Sequence, residues 1–355
     1  MQILLKILVV FVCGAALGTS AMSFVIGSPA SADFQAVTIE DLRVRREMND
    51  RLLSAVDGAA LPLAGSRVTL LAVGDVMLSR VVAERMRTHG PDYPFSQLHT
   101  ELSSVHITFG NLETPIAVGS EVGSLDMSFR ADPWAATALQ TAGFDVVSLA
   151  NNHVLNRGTA GLVETIRRLD EVGIAHTGAG ETSAVARTAA IIERAGLKVV
   201  FLAYTYDARN SDSRTNPLDL KSLSEDIAAV RQAADVVVVS MHAGIEYAPA
   251  PNRQQIEFAH AAIDAGADVV LGHHPHVVQT AEIYNGKYIF YSLGNFVFDQ
   301  MWSRETRLGL GVRLTLTEHG VESVSYWPIV IDDFSQPRAA NEIEANDIIE
   351  RLGEL

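Results

Sequence analysis

The sequence has 355 residues and a single cysteine, Cys13, so it builds no intramolecular disulfide framework and no cysteine-ligated zinc site. Any metal held here must rely on nitrogen and oxygen donors. Basic residues are also scarce: 27 Lys and Arg stand against 42 Asp and Glu, a formal net charge of −15. A surface that acidic repels phosphate backbones and anionic lipid, which argues against nucleic acid as a partner. An acidic polymer would need a local basic patch or metal ions to dock. The chain shows no internal repeat and no low-complexity tract. What it does have is apolar material, 48% of its residues, over a length that suits one large domain or two small ones.

Behind Lys6, residues 7–27 are apolar or small and carry no charge, and Ala30-Ser31-Ala32 fits the small-x-small pattern of a signal-peptidase site. The same run is long enough to span a bilayer uncut. Residues 1–32 are therefore expected to be a signal peptide or a membrane anchor. Either outcome exports the rest, anchored to the cell membrane or, after cleavage, periplasmic or extracellular. Cys13 follows Val12 inside the run, a poor lipidation context, and reads as one more apolar residue. Residues 33–66 read as a helical connector, amphipathic over 38–56 and broken by Asp57-Gly58, Pro62 and Gly65-Ser66.

From Arg67 onward, β-rich apolar runs at 68–73, 105–109, 146–149, 199–204, 236–240, 269–271 and 288–292 alternate with helical patterns. The helices are expected near 80–88, 133–142, 160–172, 223–234 and 253–265, several ending at a glycine stop signal, Gly143, Gly173 or Gly266. Short strands apolar on both faces and separated by helices predict an α/β fold with the sheet covered on both sides. Runs at 310–316 and 323–331 alternate more and are joined by Thr317-Glu318-His319-Gly320, which predicts an antiparallel hairpin. The expected organisation is one domain over 67–335, followed by a polar helix in 336–355.

A polar cluster follows nearly every strand, where open α/β sheets bind ligands. The clusters are Gly74-Asp75-Val76-Met77, Gly110-Asn111-Leu112-Glu113, Asn151-Asn152-His153, Met241-His242 through Glu246, Gly272-His273-His274-Pro275-His276 and Gly294-Asn295-Phe296. Singly, each has an ordinary structural explanation: Asp75 as a helix cap, the asparagines as turn formers, His242 as a hydrogen-bonded core histidine. Together, oxygen donors from Asp75, Glu113 and Asn152 and imidazoles from His242, His274 and His276 form a set that holds Mn, Zn or Fe in hydrolytic sites, as one or two ions. A nearby histidine that is not a ligand can then protonate a leaving group. Arg130 is a candidate contact for an anionic substrate, with Asn111, His273 and Asn295 as further substrate-side candidates.

The ordered series Gly-Asp-x-Met, Gly-Asn-Leu-Glu, Asn-Asn-His, His-x-Gly-x-Glu-Tyr, Gly-x-His-Pro-His-Val and Ser-Leu-Gly-Asn-Phe, running from about Thr69 to Phe298, resembles the CapA family of poly-γ-glutamate capsule synthesis proteins. That family is similar in fold to the calcineurin-like metallophosphoesterases, which implies a four-layer α/β sandwich with a metal centre at the strand ends. The resemblance places Asp75 at the first metal aspartate and Asn152 at the asparagine ligand. It places His242, His274 and His276 at the late histidine ligands and His153 at the catalytic histidine that assists the leaving group. Two positions depart from the phosphoesterase pattern. Met77 stands where that pattern has histidine, and Glu113 stands in for the bridging aspartate, so that one subsite would be either missing or rebuilt with Glu113 and the second catalytic candidate, Glu246.

Three functions are compatible with this reading. The first is an exported metal-dependent hydrolase or transferase acting on an anionic polymer or its anchoring linkage, poly-γ-glutamate by resemblance, in its synthesis, export or release. The second is a non-catalytic accessory subunit of a membrane-bound capsule synthase. The third is a metallophosphoesterase on small phosphate esters.

Overall fold

The computed structural model of the protein describes residues 66–206 and 214–353. The expected signal or anchor and the connector up to residue 65 lie outside them. No helix among the described residues is long and apolar enough to cross a membrane.

Fourteen strands are described: β1 (Val68–Val76), β2 (Ile107–Leu112), β3 (Val146–Ser148), β4 (Ala175–Thr177), β5 (Ala190–Arg194), β6 (Leu197–Thr205), β7 (Val236–His242), β8 (Val269–His273), β9 (Ala281–Tyr284), β10 (Lys287–Phe290), β11 (Asn295–Val297), β12 (Leu308–Thr317), β13 (Gly320–Asp332) and β14 (Gln336–Ala339). They form two mixed sheets. One runs β14-β13-β12-β1-β2-β3-β4, with β11 also pairing in parallel with β1; the other runs β5-β6-β7-β8-β10-β9. The main helices are α1 (Arg80–His89), α2 (Ala135–Ala142), α3 (Gly158–Val172), α4 (Leu220–Arg231), α5 (Arg253–Ala265) and α6 (Glu342–Glu350).

The period-two alternation of the strands builds the layers. In β1, Leu70 and Ala72 point into a core between the sheets, whereas Leu71 and Val73 join α2 and α3 side chains in an outer core. In β7, Val236 and Val238 face the inner core, and Val237 and Val239 meet Leu223 and Ile227 of α4 and Phe258 of α5. Each central strand is thus buried on both faces, which explains its uninterrupted apolar sequence. The result is helix, sheet, sheet, helix: the four-layer α/β architecture is borne out. The β12–β13 hairpin is present and antiparallel. Gly143, Gly173 and Gly266 do end α2, α3 and α5, with left-handed φ of 104°, 75° and 115°.

Some expectations need correcting. The C-terminal stretch does not begin as helix. Gln336–Ala339 adds an edge strand to the first sheet, and α6 starts only at Glu342, behind a capping box made by Asn341 and Glu344. The strands β4, β5, β9 and β11 were not expected. They are three to five residues long, and the burial of Ala175–Thr177 and Ala281–Tyr284 is incomplete, so their apolar signal is weak.

Candidate metal centre

The sequence bends chain ends toward one point. Gly74 lies so close to the neighbouring backbone that a Cβ there would sit 2.0 Å from the Gly294 carbonyl oxygen, and at Gly272 it would sit 2.0 Å from that of Tyr291. These two glycines let β1 and β8 nest against the 291–295 segment, and the Asp75 amide then donates to Gly294 O at 3.0 Å. Backbone strain gathers here as well. Arg80, Tyr247, His274 and His276 all adopt positive φ, at 50°, 64°, 99° and 58°.

Six expected ligands converge. Asp75 ends β1, Glu113 follows β2, Asn152 follows β3, His242 ends β7, and His274 and His276 follow β8. Donor atoms of Glu113, His242 and His274 lie within 4.8 Å of one another, and so do those of Asp75, Glu113 and His276. Glu113 belongs to both groups. Its Oε1 is 3.9 Å from Nε2 of each of His153, His242 and His276. Both Glu113 oxygens are buried with no hydrogen-bond donor. An orphaned carboxylate costs several kcal/mol in a protein interior unless a cation or donor reaches it. Three imidazole nitrogens around one such oxygen is the environment a divalent cation satisfies, so these residues fit a metal.

The surrounding hydrogen bonds orient the candidate ligands. Asp75 Oδ1 accepts from Asn111 Nδ2 at 2.8 Å, and Oδ2 accepts from the His274 amide at 3.2 Å. Asn111 Nδ2 also lies 3.2 Å from His242 Nδ1, whose Nε2 is 3.0 Å from Asn152 Oδ1. His276 donates from Nδ1 to Asn295 Oδ1 at 2.9 Å, which turns its Nε2 toward Glu113. His153 does the same through Asn156 Oδ1, also at 2.9 Å, and its ring stacks on Phe129 at 4.0 Å. Such outer partners set the tautomer and aim of ligating histidines.

Burial divides the two carboxylates. It pushes Glu113 well above the ordinary carboxylate range, with repulsion from Asp75 and Glu246 adding to it. Burial pushes Asp75 the same way, but the imidazoles of His273 and His276, each 3.4 Å away, outweigh it and hold Asp75 well below that range. His242 is kept neutral by burial and by repulsion from His274.

The other candidates are placed differently. Glu246 is exposed and stands outside both ligand groups, near enough to Glu113 and Tyr247 to raise their pKa values. Arg130 is buried, and its guanidinium donates to the carbonyls of Ala117 and Ser120 and to Asp132, so it ties a loop together. His273 is fully buried beneath Asp75 against Phe109, where no substrate reaches it. Asn111 and Asn295 are equally buried and serve as orienting residues. Met77 does not point at the ligands: it lies in the outer core with its sulfur accepting from the Ser79 amide at 3.1 Å.

Several contributors had no sequence signal. Asn156, Phe129 and the buried ion pair of Arg80 with Asp299 are among them, the Arg80 guanidinium lying 4.7 Å from the centre of the Phe129 ring.

A buried Asp/Glu/Asn/His cluster at the strand ends of a four-layer α/β sandwich defines a protein with a candidate metal centre. The profile of the bacterial capsule synthesis protein PGA_cap matches residues 69–300, and the chain belongs to that family. It is 32% identical to the capsule biosynthesis protein CapA of Bacillus anthracis, over 81% of this chain and 73% of that one. It is 31% identical to the PGA biosynthesis protein CapA of Bacillus subtilis, over 79% and 76%. Among solved structures it is similar to a hypothetical protein from Thermus thermophilus, with 18% identity, 73% of this chain and 98% of that one covered, and a TM-score of 0.47.

Proposed function

We propose that this chain is an exported metal-dependent hydrolase of capsule polymer synthesis, export or release, with poly-γ-glutamate or a similar anionic polymer as its substrate. The observation that carries this reading is Glu113: a buried carboxylate without a donor, ringed by three imidazoles at 3.9 Å. The names of the two Bacillus relatives support the polymer assignment.

In this reading Asp75, Glu113 and His276 would hold one divalent ion, and Glu113, His242, His274 and Asn152 a second, with Glu113 shared. When bound, Mn, Zn or Fe would supply Lewis-acid activation of water and of the scissile group. The protein does the rest. Asn111 and Asn295 fix ligand orientation. His153, its Nδ1 committed to Asn156, presents Nε2 to the centre and carries the proton to the leaving group. Phe129 covers one face of that ring and keeps water from it.

Metal analysis of the purified chain after loading tests the proposal: one or two equivalents are expected, and one fewer in Asp75→Asn. No Mn, Zn or Fe in the wild type would sink it. A second reading, an accessory subunit of a membrane-bound synthase that binds polymer without cutting it, draws on Met77 standing in the core where a ligand would be. His153→Ala separates the two. The hydrolase loses capsule formation with metal retained, whereas the accessory subunit keeps both.

A further inference from the structure

The metal centre has a neighbour that nothing so far explains. A cavity of about 330 Å³, at the lower end of the size of ligand pockets, is lined by Met301, Trp302, Arg304, Arg307, Leu308 and Val330. We propose that it is a subsite for the next unit of a polymer whose carboxylates are spaced by short aliphatic segments. This inference rests on the function proposed above and names where the substrate runs.

An aromatic step joins the cavity to the centre. Tyr247 lies 6.1 Å from His276, and Trp302 meets Tyr247 edge-on at 6.0 Å and 80°. Both rings are open to solvent, Trp302 at 62% and Tyr247 at 42%. Large aromatics left exposed beside a buried polar centre mark a binding surface more than a core.

The cavity is also tied to the ligands by hydrogen bonds. Asn295, which orients His276, donates to Gln300 Oε1 and to the Thr306 carbonyl, and Gln300 donates to the Tyr247 hydroxyl at 3.3 Å. The segment that carries Trp302, Arg304 and Arg307 is thus anchored at both of its ends to the residues around His276.

The charge is the third observation. On a chain of net charge −15, this wall presents two arginines from one turn. Arg304 pairs with Asp347 at 3.1 Å and Arg307 with Asp332 at 3.2 Å, with arginine side chains 56% and 36% exposed. Exposed pairs of this kind are weak and exchange readily for an incoming carboxylate. Of the other acids there, Glu344, which also lines the cavity, is engaged by both terminal nitrogens of Arg338, and Glu305 faces Arg351 at 4.0 Å. Met301, Leu308 and Val330 supply an apolar floor for methylene groups. Cations above an apolar floor complement a γ-linked glutamate chain, whose carboxylates alternate with short hydrocarbon stretches.

The test is equilibrium binding of γ-linked glutamate oligomers of two and of eight residues to the metal-loaded full chain. The wild type is expected to bind the octamer about tenfold more tightly than the dimer, a ratio that corresponds to one additional occupied subsite. Trp302→Ala and Arg304→Gln, both at exposed positions, should reduce that ratio to about threefold or less, with unchanged thermal transitions as evidence of folding. Asp347→Asn should tighten octamer binding by roughly twofold, because Arg304 loses its competing carboxylate. A purely structural role for these residues predicts no such gain. Equal wild-type affinity for dimer and octamer, or an unchanged ratio in both variants, would overturn the subsite while leaving the metal-dependent reading intact. Failure of the wild type to bind either oligomer would overturn both.

Discussion

Replacing Glu113 by glutamine tests the centre most directly, because it removes one negative charge and almost no volume. With metal present at a hundred times its dissociation constant, linkage stabilises the native state by about 2.7 kcal/mol. The compact unit spans Ala64–Leu355, about 290 residues, so at roughly 2.1 cal/mol/K per residue its unfolding entropy is about 0.6 kcal/mol/K. The metal should therefore raise the midpoint of wild-type thermal unfolding by about 4 °C, and that of Glu113→Gln by close to nothing. The metal-free proteins should differ in the opposite sense. Burial raises the Glu113 pKa in the folded state above its ordinary 4.5, so its contribution to stability is fully present below pH 4.5 and is lost as pH rises through the folded value. At neutral pH the glutamine variant should melt at or above the metal-free wild type. Asp75 acts the other way in a separate window: its lowered pKa gives stability above its ordinary 3.8 that is lost as pH falls below it. Differential scanning calorimetry with and without Mn or Zn at pH 7 and pH 5, and of the metal-free proteins at pH 3 as well, reads all of these. A metal-dependent shift in Glu113→Gln equal to that of the wild type would refute the reasoning. So would a metal-free variant that melts well below the metal-free wild type.

Asn156→Ala removes the acceptor that aims His153 and should lower polymer hydrolysis by about 10- to 100-fold at unchanged metal content. Loss of the metal, or an unaltered rate, would contradict the orienting role. Gly74→Ala forces a Cβ to within 2.0 Å of the Gly294 oxygen, and urea unfolding should show a loss of about 3 kcal/mol or more. A midpoint close to the wild type would mean that β1 and the 291–295 segment can part without penalty. Arg338→Ala releases Glu344, whose pKa is held down at about 2, first by its hydrogen bonds to that guanidinium. This lowered value gives stability above pH 4.5 that is lost as pH falls toward 2. The variant should be about 1 kcal/mol less stable at neutral pH, after allowance for solvent screening of a partly exposed pair. The difference between the two proteins should close by about pH 2, and a constant gap across that range would show that charge is not its origin.

The layers were legible because burial on both faces leaves a simple trace. The runs around Val199, Val236 and Val269 are apolar throughout and that around Val68 is broken only by Thr69, and their strands lie between two cores. The convergence of the candidate ligands was legible because chemistry concentrates at strand ends, and six such ends carried Asp, Glu, Asn or His. What escaped was everything defined by contact alone. Asn156 is an unremarked residue of a turn until its oxygen is seen to accept a hydrogen bond from His153 and, at 2.6 Å, one from the Phe129 amide. Arg130 looked like an anion contact, but sequence does not reveal that loop carbonyls already occupy its guanidinium. His273 shares a four-residue stretch with two candidate ligands, yet the strand alternation sends it inward, beneath Asp75. The strand at Gln336–Ala339 contains Pro337, which a sheet tolerates only at an edge, and β14 is an edge.

The donors come from both halves of the sandwich. Asp75, Glu113 and Asn152 hang from the eight-stranded sheet, and His242, His274 and His276 from the six-stranded one. An ion held there would be a rivet through two plates as well as a reagent. Chelation would then do more than silence chemistry: it would loosen the seam at its upper rim, where hydrogen exchange in β1 and β8 should quicken together while the far ends of the same strands stay closed.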